Sequence, residues 1–310
     1  MTPASRAKTR MRRREVAVDG VRFAIDRGDP SRRRRTTPAL LLHGVPETRA
    51  MWGPLAAELV RDRVVIAPDL KGLGDSEARG PYDVPTLVRE LAALALHEVD
   101  GQVDVVGHDW GGSLALAMAL TRPDLVRRLV VINAPYRHID FRHAWHIPFF
   151  ALPLVPEAVF AVGGRSLVGR MLDYGWRAET ALDPALRERY ATAYAERARV
   201  AAMLGYYRAS VRMRLRRAGA HAVRRLRGDG AVVPNPRTSG GFLPSLVIWG
   251  AADPVLPLPV GESVVRDLGP SARLVTLPGV GHFTVDEAPD QVVDLVATFL
   301  REQAGERAPA

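Results

Sequence analysis

The chain has 310 residues, long enough to hide roughly three quarters of the surface its unfolded form exposes, so a disulfide scaffold is unnecessary. It contains no cysteine, which excludes disulfides, thiolate nucleophiles and Cys-ligated metals. Forty-three Lys and Arg against 34 Asp and Glu leave a formal charge of +9, concentrated in arginine-rich runs at 6–14 and 32–35. With no aromatic residues and no amphipathic period running through them, these runs read as a basic, disordered tail (1–14) and a solvated loop, not as nucleic-acid contacts.

No apolar run of roughly 7 to 15 residues follows the basic tail, as a signal peptide requires. The longest apolar stretch, around 147–162, is interrupted by Pro148, Pro153, Pro156 and Glu157 and cannot make an unbroken span. The expectation is a soluble cytoplasmic protein with no membrane partner.

Along the chain, short β-branched apolar runs bounded by turn residues predict buried strands at 39–42, 64–67, 103–106, 129–132, 246–249 and 274–277. Helical spacing at 85–98 and 113–121 separates them, and this alternation predicts an α/β protein with a mostly parallel, doubly wound sheet. Between residues 133 and 243 the rhythm breaks. That interval has helical character and no convincing strand, and it reads as an inserted helical lobe (135–242) between two parts of a core (15–134 and 243–303). Its last part, 214–241, holds Arg-Gly-Asp-Gly, Pro234, Pro236 and Ser-Gly-Gly, and is expected to be a loop returning to the sheet.

The strongest local signal is Gly107-His108-Asp109-Trp110-Gly111, which joins the third of these strands to a helix. A residue forced into so tight a turn takes a sparsely allowed backbone conformation. Its neighbours two positions away must be small, and its side chain projects into a cleft. Here that side chain is a carboxylate, suited to displacement at a saturated carbon with formation of an ester on the enzyme. A buried Asp capping the next helix is the plainer alternative.

The turn His43-Gly44-Val45-Pro46 follows the first of these strands and is expected beside Asp109, where the Val45 and Trp110 N–H groups can converge on one oxyanion. Asp253 follows the strand at 246–249 and His282 the strand at 274–277. The chain order nucleophile, acid, base is the one expected when all three sit at strand ends. Asp253 then orients His282, which takes a proton from water.

With these motifs the sequence resembles the epoxide hydrolase family of the α/β-hydrolase superfamily, whose members carry His-Gly-x-Pro, Gly-x-Asp-x-Gly and a late Asp and His. The resemblance runs over nearly the whole chain from about residue 15. It implies a helical cap that supplies two hydrogen-bond donors to the epoxide oxygen. Tyr207, in Gly205-Tyr-Tyr-Arg-Ala209, matches the second donor, and His146, in Ala144-Trp-His-Ile-Pro-Phe-Phe150, falls at the first. The family's usual pair is two tyrosines, so a His there looks like the Cif-type bacterial enzymes. Unlike that type, this chain has Pro46 in the oxyanion turn and its acid at Asp253, while Asn133 stands at the Cif-type acid position.

His43, Phe149, Phe150, Trp176 and Tyr206 are expected to help line the pocket. No cofactor or metal is implied, and the partners expected are a small epoxide, water and, for the fold, at most a second copy in a homodimer. The alternatives are a haloalkane or haloacetate dehalogenase using the same Asp109, and a non-catalytic ligand-binding protein on the same scaffold. Against the dehalogenases stand Val45, where an Asn commonly follows His-Gly, and Trp110, where an Arg is expected after the nucleophile.

Overall fold

The computed structural model describes residues 11–30, 36–226 and 243–302, with side chains of 217–226 excepted. An eight-stranded sheet runs through the molecule in the order β1-β2-β4-β3-β5-β6-β7-β8. β1 (Arg12–Val18) and β2 (Val21–Gly28) form an antiparallel hairpin whose turn, Asp19-Gly20, has both residues at positive φ. That conformation suits a two-residue hairpin turn matching the strands' twist. β2 is antiparallel to β4 (Val65–Pro68) as well.

From β4 onwards the sheet is parallel, taking in β3 (Ala39–Leu42), β5 (Val103–His108), β6 (Val126–Ile132), β7 (Ser245–Gly250) and β8 (Ala272–Leu277). β3, β4, β5 and β7 are buried at every residue, because helices cover both faces of the sheet. These helices are α1 (Gly53–Leu59), α2 (Val84–Glu98), α3 (Trp110–Thr121), and, further along, α8 (Leu258–Leu268), α9 (Thr284–Glu287) and α10 (Pro289–Arg301). α2 begins on a side-chain cap, Asp83 accepting from the Thr86 N–H.

Between β6 and β7 the described chain is helical: α4 (His146–Ala151), α5 (Val155–Gly175, broken at Gly164), α6 (Pro184–Ala193) and α7 (Arg197–Leu226). α7 is longer than the sequence predicts, because 214–226, expected as loop, is helix; the rest of the expected loop, 227–241, lies outside the described residues. The N-terminal reading changes too. Arg12–Arg14 belong to β1, not to a disordered tail, because their backbone pairs with β2 while their side chains remain exposed. Residues 1–10 and the run at 32–35 lie outside the described residues. No helix among those described is long and apolar enough to cross a membrane.

Candidate active site

The loops that follow β5, β7 and β8 bring Asp109, Asp253 and His282 together at the carboxyl ends of the parallel strands. Asp109 follows β5 with φ 48° and ψ −117°, a left-handed conformation that costs a non-glycine residue about 1–3 kcal/mol. The surroundings enforce it. A Cβ on Gly107 would lie 2.3 Å from the Gly111 carbonyl oxygen, and one on Gly111 would lie 2.1 Å from that of Leu42, so both positions exclude any side chain.

Asp109 Oδ2 accepts the Val45 N–H at 2.9 Å, and the Trp110 N–H also favours the charged carboxylate. Burial pushes the Asp109 carboxyl above the usual carboxylate range, against the opposing pull of His282, His108 and these two donors. His282 Nε2 lies 3.9 Å from Asp109 Oδ1, close enough to interact but too far for a direct hydrogen bond. On its other side, His282 Nδ1 is 2.8 Å from Asp253 Oδ2.

Asp253 is held from several directions. Its Oδ1 accepts the N–H groups of Val255 (2.7 Å) and Leu256 (2.9 Å), and its Oδ2 accepts Asn133 Nδ2 at 2.6 Å. Burial opposes its charge, yet His282 and these donors hold its carboxyl below the usual range. For His282 burial again works against the charge, but Asp253 and Asp109 outweigh it and raise its pKa.

Facing Asp109, His146 of α4 and Tyr207 of α7 pack edge to face, with ring centroids 5.9 Å apart. Burial, helped by the nearby His282, lowers the His146 pKa to about 4, so its imidazole is neutral at physiological pH. Burial and the Asp109 carboxylate raise that of Tyr207, so its hydroxyl keeps its proton.

Two cavities meet here, of about 570 and 330 Å³, and both are lined by Asp109, His146, Tyr207 and Val255. Phe149 and Phe150 line the smaller one. His43, Trp176 and Tyr206, expected in the pocket, line neither. His43 is wholly buried: its Nε2 accepts the Leu70 N–H at 2.9 Å while Nδ1 meets the Gly44 carbonyl at 2.8 Å, so it braces the turn that carries Val45. Tyr206 donates to the Lys71 carbonyl and stacks on Tyr82, which turns it towards the core. The Trp176 indole N–H closes its own loop on the carbonyls of Ala178 and Thr180.

Sequence reasoning missed one buried pair. His108 Nδ1 lies 2.7 Å from Glu47 Oε2 and its Nε2 lies 2.8 Å from the His282 carbonyl oxygen, so both ring nitrogens face acceptors. Burial opposes a charge on His108, but Glu47 overcomes it and the pKa rises to about 9. Nothing in the spacing announces a pair 61 positions apart; the available hint was a second titratable residue beside Asp109. Among the described residues no cluster of His, Asp and Glu is arranged to hold a metal ion.

The sheet order agrees with comparison to known proteins. Residues 37–289 match the model of the alpha/beta hydrolase fold family. The chain belongs to that family. It is 29% identical to the AB hydrolase superfamily protein YfhM of Bacillus subtilis (strain 168), over 85% of this chain and 90% of the relative. It is 24% identical to human (Homo sapiens) epoxide hydrolase 4, over 93% of this chain and 78% of that protein. Among solved structures, Cfl2 from Burkholderia cenocepacia superimposes with a TM-score of 0.78 at 23% identity, covering 96% of this chain and 98% of that one, a likeness of fold.

Proposed function

We propose that this α/β hydrolase opens an epoxide to a vicinal diol, with Asp109 as nucleophile, His282 as base and α4–α7 acting as a cap over the site. The observation that carries the reading is the pairing around one carboxylate: Asp109 has one oxygen on the Val45 N–H and the other 3.9 Å from His282, across a cavity from His146 and Tyr207. The distant relationship to proteins named epoxide hydrolases is consistent with it.

In the first step Asp109 Oδ1 attacks a ring carbon. The C–O bond of the ring breaks, its electron pair goes to the ring oxygen, and that oxygen takes a proton from Tyr207 while the neutral His146 donates a hydrogen bond. This division of labour resembles the His and Tyr pair of the Cif-type enzymes. In the second step water adds to the ester carbonyl as His282 accepts its proton. The charge developing on Oδ2 falls on the Val45 and Trp110 N–H groups, where one donor is worth roughly 10² to 10³ in rate. Collapse of this intermediate expels the alkoxide, which takes the proton of the Asp109 carboxylic acid to give the diol, and the proton held by His282 returns to the Tyr207 oxygen by way of water, so that Asp109, His282 and Tyr207 are all regenerated.

Acid-quenched mass spectrometry of a His282→Gln variant exposed to styrene oxide tests the reading: an adduct on the peptide containing Asp109 is expected. An unmodified peptide with every epoxide tried favours a binding protein instead. Halide release from brominated alkanes without diol formation from epoxides points to a dehalogenase.

A further inference from the structure

Of the ten large apolar side chains exposed among the described residues, all but Leu96 lie in the stretch between β6 and β7. Most of them form one face. Leu152 and Leu154 lead into α5, and Val155, Val159 and Val162 follow at i, i+4 and i+7 along its first half, before the break at Gly164. Leu154 is 79% and Val162 92% exposed, and Leu154 also takes φ 64°, a left-handed conformation that a leucine rarely adopts. A contiguous apolar face left in water adds nothing to folding and marks a contact surface. Trp145 and Tyr174, both exposed, line the smaller cavity together with Val159, so that cavity opens within the face.

Beside the face runs a basic stripe. Arg208 of α7 donates to the Leu152 carbonyl at 2.6 Å and pairs with Glu157 at 2.7 Å, which sets α7 against the start of α5. Arg212 and Arg216 follow at four-residue intervals on the same side of α7, both exposed and neither in an ion pair among the described residues. The whole of α7 contains nine arginines and no Asp or Glu. The two carboxylates of α5, Glu157 and Asp173, are already engaged by Arg208 and Arg187.

These charges choose between occupants. A second copy would bring two such stripes together about a two-fold axis, like against like. An anionic lipid surface matches both parts at once, with aliphatic side chains for the hydrocarbon, Trp145 and Tyr174 for the interface and arginines for the phosphates. Peripheral contact of this kind needs no spanning helix.

We infer that the apolar face at 152–162, with the arginines of α7 beside it, is a docking surface for an anionic lipid bilayer. Docking brings the mouth of the smaller cavity to the membrane. The contact is independent of the reaction at Asp109.

The chain has no cysteine, so one introduced thiol carries one label. An environment-sensitive fluorophore on the full-length Val162→Cys variant tests the surface, with vesicles of phosphatidylcholine alone and of equal parts phosphatidylcholine and phosphatidylglycerol. A blue shift is expected with the mixed vesicles at low salt, together with quenching by nitroxides on the acyl chains. The same label on Leu96→Cys should show neither. In sedimentation with the mixed vesicles, partition of the unlabelled protein should fall roughly tenfold or more in Leu154→Asp/Val162→Asp. It should fall about fivefold in each of Arg212→Gln and Arg216→Gln. All four positions are exposed, so the melting temperature should not change. Sedimentation without immersion of the label at 162 would place the contact elsewhere on this basic chain and overturn the inference, as would no sedimentation at all. A blue shift that grows with protein concentration without vesicles, with a doubled mass in ultracentrifugation, would overturn it in favour of a second copy.

Discussion

Asn133 Nδ2 donates at 2.6 Å to Asp253 Oδ2, the same oxygen that lies 2.8 Å from His282 Nδ1. Asn133 follows β6 at φ 40°, and its Oδ1 accepts from the Gly250 N–H and the Thr284 hydroxyl, so its amide cannot turn away. Asn133 therefore fixes Asp253, which in turn holds His282. Losing one hydrogen bond to a charged group costs about 1.5–3 kcal/mol, or roughly ten- to a hundredfold in a rate that depends on it. Asn133→Ala is thus expected to slow ester hydrolysis by that factor while leaving ring opening nearly intact. Rapid-quench measurement should find accumulated ester; an unchanged hydrolysis rate removes Asn133 from the positioning chain.

The pH dependence of the two steps should differ. His282 is raised by Asp253 and Asp109 despite its burial, and a base must be neutral to accept a proton. Hydrolysis therefore rises with pH through the His282 pKa. Once Asp109 is an ester its negative charge is gone, and with it one of the charges that raised the imidazolium pKa. The limb seen in single-turnover hydrolysis should lie below the His282 pKa found by NMR titration of the free enzyme. Coincident values would mean that Asp109 does not act on His282 through its charge.

The site was legible wherever local sterics dictate sequence. A strained turn at Asp109 needs glycine at 107 and 111, and the strand ends at Asp253 and His282 were marked by the apolar runs before them. The first two strands were missed because β1 is an exposed edge strand, Arg-rich and with only Val16 buried, so its burial gives no continuous apolar run. Its signal lay instead in the Asp19-Gly20 turn. The helical reach of α7 past residue 213 was hidden because the turn residues that marked the loop, among them Gly228, Gly230, Pro234 and Pro236, all lie after the end of the helix. Tyr206 and Tyr207 could not be told apart by composition. Adjacent helical positions point about 100° apart, so one faces Lys71 and the other Asp109.

The donor pair makes a graded prediction. Tyr207→Phe keeps the ring packed against Trp110 and Phe150 and removes only the hydroxyl, so the alkylation rate should drop by roughly 10² to 10³ with the fold intact. At position 146 what matters is an N–H, not a charge, because the imidazole is held neutral down to about pH 4. His146→Gln should therefore retain more activity than His146→Phe, and ring opening should show no His146 limb between pH 5 and 8. Stopped-flow alkylation rates for the three variants provide the check. Equal loss in the Gln and Phe variants would reduce His146 to packing.

The His108–Glu47 pair predicts a stability profile independent of any substrate. Burial alone would lower the His108 pKa, but Glu47 and the His282 carbonyl raise it to about 9 from 6.5. A folded-state pKa above the unfolded one gives stability that is complete below pH 6.5 and is lost as pH climbs through about 9. The size is on the order of 3 kcal/mol, enough to lower the melting temperature by several degrees. His108→Gln should be less stable at pH 6 and should lose little more between pH 6.5 and 9. Glu47→Gln should remove the same pH dependence from the other side, because it takes away the charge that holds the imidazolium. Melting curves for the three proteins at these pH values decide it. A wild-type profile that stays flat to pH 9 would mean that the folded protein binds no more protons here than the unfolded chain does, so that His108 is neutral in the fold and no imidazolium lies beneath Asp109.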